Sequence, residues 1–285
     1  MATKATTRNA LTVDVEDYFQ VSALEGHVAR EDWDRMPQRV ERNTDQILQL
    51  FSDYGARATF FVLGWVAERY PAMVRRLADG GHEVASHGYD HVRVNEQSPE
   101  AFRADVRATK DLLEDLTGQP VKGYRAASFS IGRDNAWAFD VLHEEGYRYS
   151  SSVNPIRHDH YGMPEAPRFS FTANDQGLIE VPISTVALGG RNNPCGGGGF
   201  FRLLPYPYFR WALGRINGSE GQPGVFYFHP WEIDPSQPRQ PGLPWRTRFR
   251  HYLNLHRTEA RLRRLLGDFR WDRMDRIFLE EREQA

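Results

Sequence analysis

Short apolar runs alternate with longer amphipathic stretches along most of this chain. Residues 10–15 are apolar and β-branched and end in acids, the pattern of a buried strand with polar groups at its C-terminal end. Residues 40–54 carry Ile47, Leu48, Leu50 and Phe51 at helical spacing and stop at Gly55. The alternation continues with a strand over 58–63, a helical pattern over 65–79 interrupted by Pro71, and a strand over 82–86 that runs into His87. A helix over 99–117 follows, with Ser98 as its N-cap and Gly118 beyond its end. Then come a strand over 121–126, a helix over 134–145 closed by Gly146, and strands over 147–153, 179–183 and 224–229. Short strands separated by helices of ten residues or more predict parallel βα units, an α/β class.

Two regions break the alternation. Residues 154–177 have no clear period and are rich in His, Pro and Asp, which reads as a long surface loop. Residues 235–244 are Pro-rich and lead into a basic helical tail over 245–266 that holds Leu253, Leu262, Leu265 and Leu266 for burial. The tail is expected to pack on the main domain as an appendage. These boundaries give a main domain over 8–233 and a C-terminal extension over 234–285.

With 285 residues, one large core fits without a further domain. The net charge of -2 gives no electrostatic reason to expect nucleic acid or an anionic membrane. Arginines are frequent near the C-terminus, but Asp and Glu are interleaved with them, as on a solvated helix face. The single cysteine, Cys195, excludes an internal disulfide and lies in a loop without the signature of a catalytic thiol. Residues 1–9 are polar, and no apolar stretch follows that is long enough for a signal peptide or membrane span. The expected location is cytoplasmic, and a homo-oligomer is left open.

Chemistry concentrates at predicted strand ends. Asp14, Glu16 and Asp17 lie within four residues, and unpaired burial beside Val13 and Val15 would be costly, so they need a cation or solvent. On an extended strand Asp14 and Glu16 point to the same side, while Asp17 joins them only if the chain turns. His87 and His91 are four apart, with Gly88 favouring a loop through the pair. Two imidazoles and one carboxylate, with a position open for water, make a hydrolytic arrangement for zinc or a related divalent ion. A second carboxylate is then free as a general base. Arg125 ends the fourth strand, where it lowers a neighbouring carboxylate's pKa and fixes its orientation. His229 ends the last strand, and Pro230 restricts it to extended backbone, projecting the imidazole off the strand end.

Taken together, Val13-Asp14-Val15-Glu16-Asp17-Tyr18-Phe19, Ser86-His87-Gly88-Tyr89-Asp90-His91, Gly123-Tyr124-Arg125, Ser151-Ser152-Val153 and Phe228-His229-Pro230-Trp231-Glu232 resemble the polysaccharide deacetylase family, the NodB-homology hydrolases. The stretches 155–159 and 200–205 look like the branch associated with bacterial exopolysaccharide loci. The resemblance implies a distorted (β/α)7 barrel with a C-terminal helical extension, acting as an N-deacetylase on N-acetylhexosamine units of a polysaccharide or its precursor. It implies Asp14 as general base, Arg125 as its orienting partner, His229 as general acid, and His87 and His91 as metal ligands with a carboxylate. The usual pair of adjacent aspartates is absent, so Asp17 or Glu16 is the third ligand, and the divalent metal implied is zinc. Ala127 stands where many members have proline.

Tyr161, Phe200, Phe201 and Trp231 are the aromatic candidates for stacking on a sugar ring. Two other functions compete: an amidohydrolase on a small amide, as in the allantoinase-like relatives, and a non-catalytic glycan-binding protein on the same scaffold.

Overall fold

The computed structural model describes residues 7–157 and 162–280. Tyr161, with His158 and Asp159 of the long loop, therefore lies outside the described residues.

The elements follow the predicted alternation at first: β1 (Arg8–Val15), α1 (Val40–Tyr54), β2 (Thr59–Val62), α2 (Gly64–Arg69), α3 (Pro71–Asp79), β3 (Glu83–Ser86), α4 (Pro99–Thr117), β4 (Gly123–Tyr124), α5 (Trp137–Glu144) and β5 (Tyr149–Ser150). Then come β6 (Phe171–Thr172), β7 (Ile179–Glu180), the hairpin β8 (Thr185–Leu188) and β9 (Arg191–Pro194), α6 (Gly198–Leu203), α7 (Tyr206–Gly218) and β10 (Val225–Phe228). The C-terminal part holds α8 (Trp245–Tyr252), α9 (Leu255–Asp268) and β11 (Arg270–Asp272).

Parallel strands run in the order β10-β1-β2-β3-β4-β5-β7, with β6 antiparallel on the outer edge and β11 paired to β1. The curled sheet is the half-barrel expected of a distorted (β/α)7 fold. Its opening between β7 and β10 is bridged by polar contacts: the Val225 amide donates to Ser184 Oγ at 2.6 Å, and the Tyr227 amide to the Gly196 carbonyl at 2.7 Å. That close approach explains the Gly-rich run. At Gly197 φ is +117°, and a Cβ there would sit 2.0 Å from the Tyr227 carbonyl oxygen.

Period-two alternation sorts β1 between two cores. Leu11, Val13 and Val15 pack toward the helices with Ile47, Leu50 and Phe51 of α1. Ala10 belongs to a separate cluster with Phe61, Ala85, Tyr149, Val181 and Tyr227, which fills the concave side of the sheet. Thr12 and Asp14 share the parity of Ala10, so the strand carries its acid on the concave side, at its C-terminal end. Met274, Ile277, Phe278 and Leu279 join the same cluster from the chain's end. The Met274 amide donates to Thr59 Oγ1 and the Asp275 amide to Glu83 Oε2, both at the first residues of their strands. The C-terminal segment thus closes the end opposite the acids.

Several boundaries differ from expectation. The predicted helix over 65–79 divides at Tyr70, with Pro71 opening α3. The tail over 245–266 divides at Asn254, whose φ is +54°. Helix α7, the β8–β9 hairpin and β11 were not predicted. Within the C-terminal extension, α9 packs on α1, α6 and α7, and β11 adds to the main sheet. No described helix is long and apolar enough to cross a membrane.

Candidate active site

Asp14 is the penultimate residue of β1, with Arg125 across the concave face. Arg125 is fully buried; its Nη1 donates to Asp14 Oδ1 at 2.6 Å and to Thr12 Oγ1 at 2.7 Å. Its Nε and Nη2 donate to the carbonyl and hydroxyl of Ser151, and its guanidinium lies 4.1 Å above the Phe61 ring. Every donor edge is aimed at a fixed partner, so the arginine positions the carboxylate rigidly.

After Val15 the chain turns tightly, with the Glu16 amide 3.1 Å from the Asp14 carbonyl. The turn separates the two candidate ligands. Glu16 stays on the cleft side with Asp14. Asp17 faces the other way, where Oδ1 accepts from the Tyr18 amide and Oδ2 from the Arg39 and Val40 amides. Asp17 therefore satisfies the N-terminus of α1 and does not approach the imidazoles. Burial pushes its pKa up to about 6, against the pull of those amides.

His87 and His91 come from the loop after β3. Gly88 has φ +74° and His91 φ +59°, and the Tyr89 amide donates to Asp105 Oδ1 at 2.6 Å. The loop is pinned from the other side by the Gly64 and Trp65 amides of α2, which donate to the Gly88 and Tyr89 carbonyls. His87 Nδ1 lies 2.8 Å from the Arg125 carbonyl, which fixes the tautomer and leaves Nε2 as a lone-pair donor. Burial depresses both imidazoles, His91 well below its ordinary value, so both are neutral. Among the described residues, Glu16, His87 and His91 bring ligand atoms within 4.8 Å of one another.

His229 faces this group from the end of β10. Its Nε2 is 3.3 Å from Glu16 Oε1 and 3.9 Å from Asp14 Oδ2, and its Nδ1 is 2.7 Å from Glu232 Oε1. Burial opposes a charge on His229, but Glu16, Glu232 and Asp14 outweigh it and push the pKa up to about 9. Glu232 is buried, yet Arg202 and His229 hold it down at about 2. Arg202 Nε reaches Glu232 Oε2 at 2.6 Å, and its Nη1 donates to the Arg250, His251 and Leu253 carbonyls. The C-terminal extension is thereby tied to the imidazole through one arginine and one glutamate. Sequence reasoning gave Glu232 no role, although its spacing of three from His229 within a turn was a readable signal.

The resulting cleft of about 420 Å³ is lined by Asp14, Glu16, His87, His91 and His229, with Thr247 and Arg250 contributed by α8. The aromatic candidates divide. Phe201 is buried against Phe209 and Phe226 and cannot reach a ligand. Trp231 lines the cleft, but its ring is buried and stacks with the His229 and His251 imidazoles at 5.3 and 4.5 Å, so it offers little surface to a sugar. Phe200 lines a neighbouring groove instead.

A curled parallel sheet with an arginine-held acid, a His–His–Glu group and a facing imidazole at its strand ends defines the class of NodB-type half-barrels. Residues 31–150 match the profile described as polysaccharide deacetylase, and residues 151–279 match a domain of unknown function, DUF3473. A peptidoglycan-N-acetylglucosamine deacetylase of Bacillus cereus is 33% identical over 82 residues, covering 29% of this chain and 30% of the relative. A chitooligosaccharide deacetylase of Rhizobium leguminosarum bv. trifolii is 34% identical over 99 residues, covering 35% of this chain and 43% of the relative. These matches span less than half of either relative's own length. Among solved structures, a candidate polysaccharide deacetylase from Mycobacterium smegmatis superposes with a TM-score of 0.64 at 20% identity, covering 100% of this chain and 93% of that one, a likeness of fold.

Proposed function

We propose that this protein is a hydrolase that removes the acetyl group from N-acetylhexosamine units of a bacterial polysaccharide or its precursor. The observation that carries the reading is the convergence in one cleft of an arginine-held acid, a His–His–carboxylate group and a facing imidazole. Relatives named as deacetylases of peptidoglycan and of chitooligosaccharides support the substrate class.

The donor set fits a divalent cation, zinc by its chemistry. Glu16 Oε2 and His91 Nε2 lie 3.1 Å apart without hydrogen-bond geometry, as two ligands of one ion would. Burial pushes Glu16 up to about 7 despite His229, so the carboxylate gains from a positive neighbour. When bound, such an ion supplies Lewis-acid polarisation of a carbonyl and lowers the pKa of a water.

Within this reading Asp14, fixed by Arg125, takes the proton of the attacking water. His229 enters protonated and donates from Nε2 to the departing amine, with Glu232 on Nδ1 holding the ring in place. The products are acetate and a glucosamine-type unit. The experiment is acetate release from acetylated chito-oligomers by wild type and Asp14→Asn. The variant is expected to lose a factor on the order of 100 or more in kcat while keeping bound metal. An unchanged rate would remove Asp14 from the mechanism, and no release by wild type would remove the deacetylase reading.

A further inference from the structure

Beside the cleft runs a second, apolar groove of about 530 Å³, lined by Phe200, Leu203, Trp245, Phe249 and Leu253. It is continuous with the cleft, since Val21, Ala23, Tyr227, Trp231 and Arg250 border both. Three of its side chains are among the most exposed large hydrophobic groups of the molecule: Trp245 at 73%, Phe249 at 52% and Leu203 at 51%. Trp245 and Phe249 are four apart and share one face of α8. Such a concentration of exposed apolar surface in one place marks a binding site.

Charge identifies what the site would hold. The arginines of this segment are not interleaved with acids, as the whole tail suggested. No carboxylate occurs between Asp234 and Glu259, while Arg239, Arg246, Arg248, Arg250 and Arg257 do. Among the described residues, no acidic side chain pairs with Arg246, Arg248 or Arg250. Arg246 borders the apolar groove, and Arg250 stands at its junction with the cleft. From outside inward the surface therefore reads apolar groove, guanidinium, sugar-sized cleft.

We infer that the groove binds the isoprenoid chain of a lipid-linked glycan, with Arg250 and Arg246 on the connecting phosphates and the acetylated sugar in the cleft. An amphiphile of the form apolar chain, phosphate, sugar matches that order end to end, and guanidinium is the group suited to phosphate oxygens. The inference rests on the hydrolase reading for its sugar and adds the chemical class of carrier. It also gives α8 a function that packing alone does not require, since its most apolar side chains are the ones left exposed.

The test is equilibrium binding to the full chain of farnesyl diphosphate, with farnesol and inorganic diphosphate as the separate halves. Farnesyl diphosphate is expected to bind at least tenfold more tightly than either half. Trp245→Ala with Phe249→Ala should weaken it at least tenfold. Arg246→Gln with Arg250→Gln should weaken farnesyl diphosphate and leave farnesol unchanged. All four side chains are exposed, and unfolding curves of the variants confirm that the fold is kept. Absence of saturable binding, or binding indifferent to the Trp245/Phe249 pair, overturns the inference. So does a wild-type dimer that this pair of substitutions dissolves, which assigns the groove to a second copy. Acetate release from soluble chito-oligomers is scored separately: if it fails while farnesyl diphosphate binds as expected, the hydrolase reading falls and the groove assignment is supported.

Discussion

Removing the guanidinium of Arg125 should cost more stability than any surface change, and the structure says how much. Arg125→Met keeps an aliphatic stem over Phe61 but leaves Asp14 without its 2.6 Å partner, in a strand end where Asp14 is 2% exposed. Breaking a buried ion pair from one side costs about 3–5 kcal/mol, because the remaining charge is desolvated and uncompensated. Two effects adjust that range. The Ser151 carbonyl and hydroxyl lose their charged donors, which adds about 1 kcal/mol. His229 Nε2, 3.9 Å from Asp14, is a second cation in reach and offsets part of the loss. A net loss of about 4 kcal/mol is expected. The decisive comparison is Arg125→Met with Asp14→Leu, which removes both charges and should recover at least about 2 kcal/mol while staying inactive. Urea unfolding of chelator-treated protein measures both, free of metal linkage. If Arg125→Met costs under about 1 kcal/mol, or the double variant is less stable than the single, the buried pair is not what holds Asp14.

Three further outcomes follow from the same contacts. Asp17→Ala should lower stability by about 1 kcal/mol through the lost amide acceptor at the start of α1 and leave zinc stoichiometry at its wild-type value, whereas Glu16→Ala should abolish stoichiometric zinc; metal analysis of the two purified variants separates the acids. His82 accepts from the Ala58 amide through Nδ1, and burial pushes its pKa from 6.5 down to about 4. The unfolded chain thus binds a proton that the folded chain refuses, so stability falls as pH drops from about 6.5 to about 4, by about 3 kcal/mol from this group; His82→Gln should flatten that part of the urea-midpoint profile, and an identical profile refutes it. Gly197→Ala, which drives a Cβ into the Tyr227 carbonyl, should destabilise by more than the ~1 kcal/mol typical of point changes, read as a fall in Tm.

How far the sequence could be read depended on whether a feature is local. The acids at the end of β1, the His87–His91 pair and the position of His229 are set by strand ends, which hydrophobic runs mark directly. The choice between Glu16 and Asp17 was not legible, because it turns on one tight turn after Val15 and on the amides of α1, more than twenty residues away. Phe200 and Phe201 look equivalent in a list of aromatics. On α6 they diverge, one into a groove and one into the core. Trp231 reads as a sugar platform until His251 is stacked on it by a segment that sequence treats as an appendage. Helix α7 was not predicted, although Tyr206, Phe209, Leu213 and Ile216 carry a buried helical stripe. Strands β4 and β5 are shorter than the spans 121–126 and 147–153 predicted for them. Beyond Tyr124 and Ser150 the Arg125 and Ser151 amides still reach the Ser86 and Tyr124 carbonyls, while the side chains turn to the site, as when Ser151 holds Arg125.

The most direct test of the whole account is zinc titration into chelator-stripped protein, with acetate release from a chito-oligomer as the readout. Distant strand ends that share one cation predict a stripped protein without activity and full recovery at one equivalent of zinc, lost again in Glu16→Ala. Stripped protein that keeps its full rate, or a titration unaffected by Glu16→Ala, would contradict it.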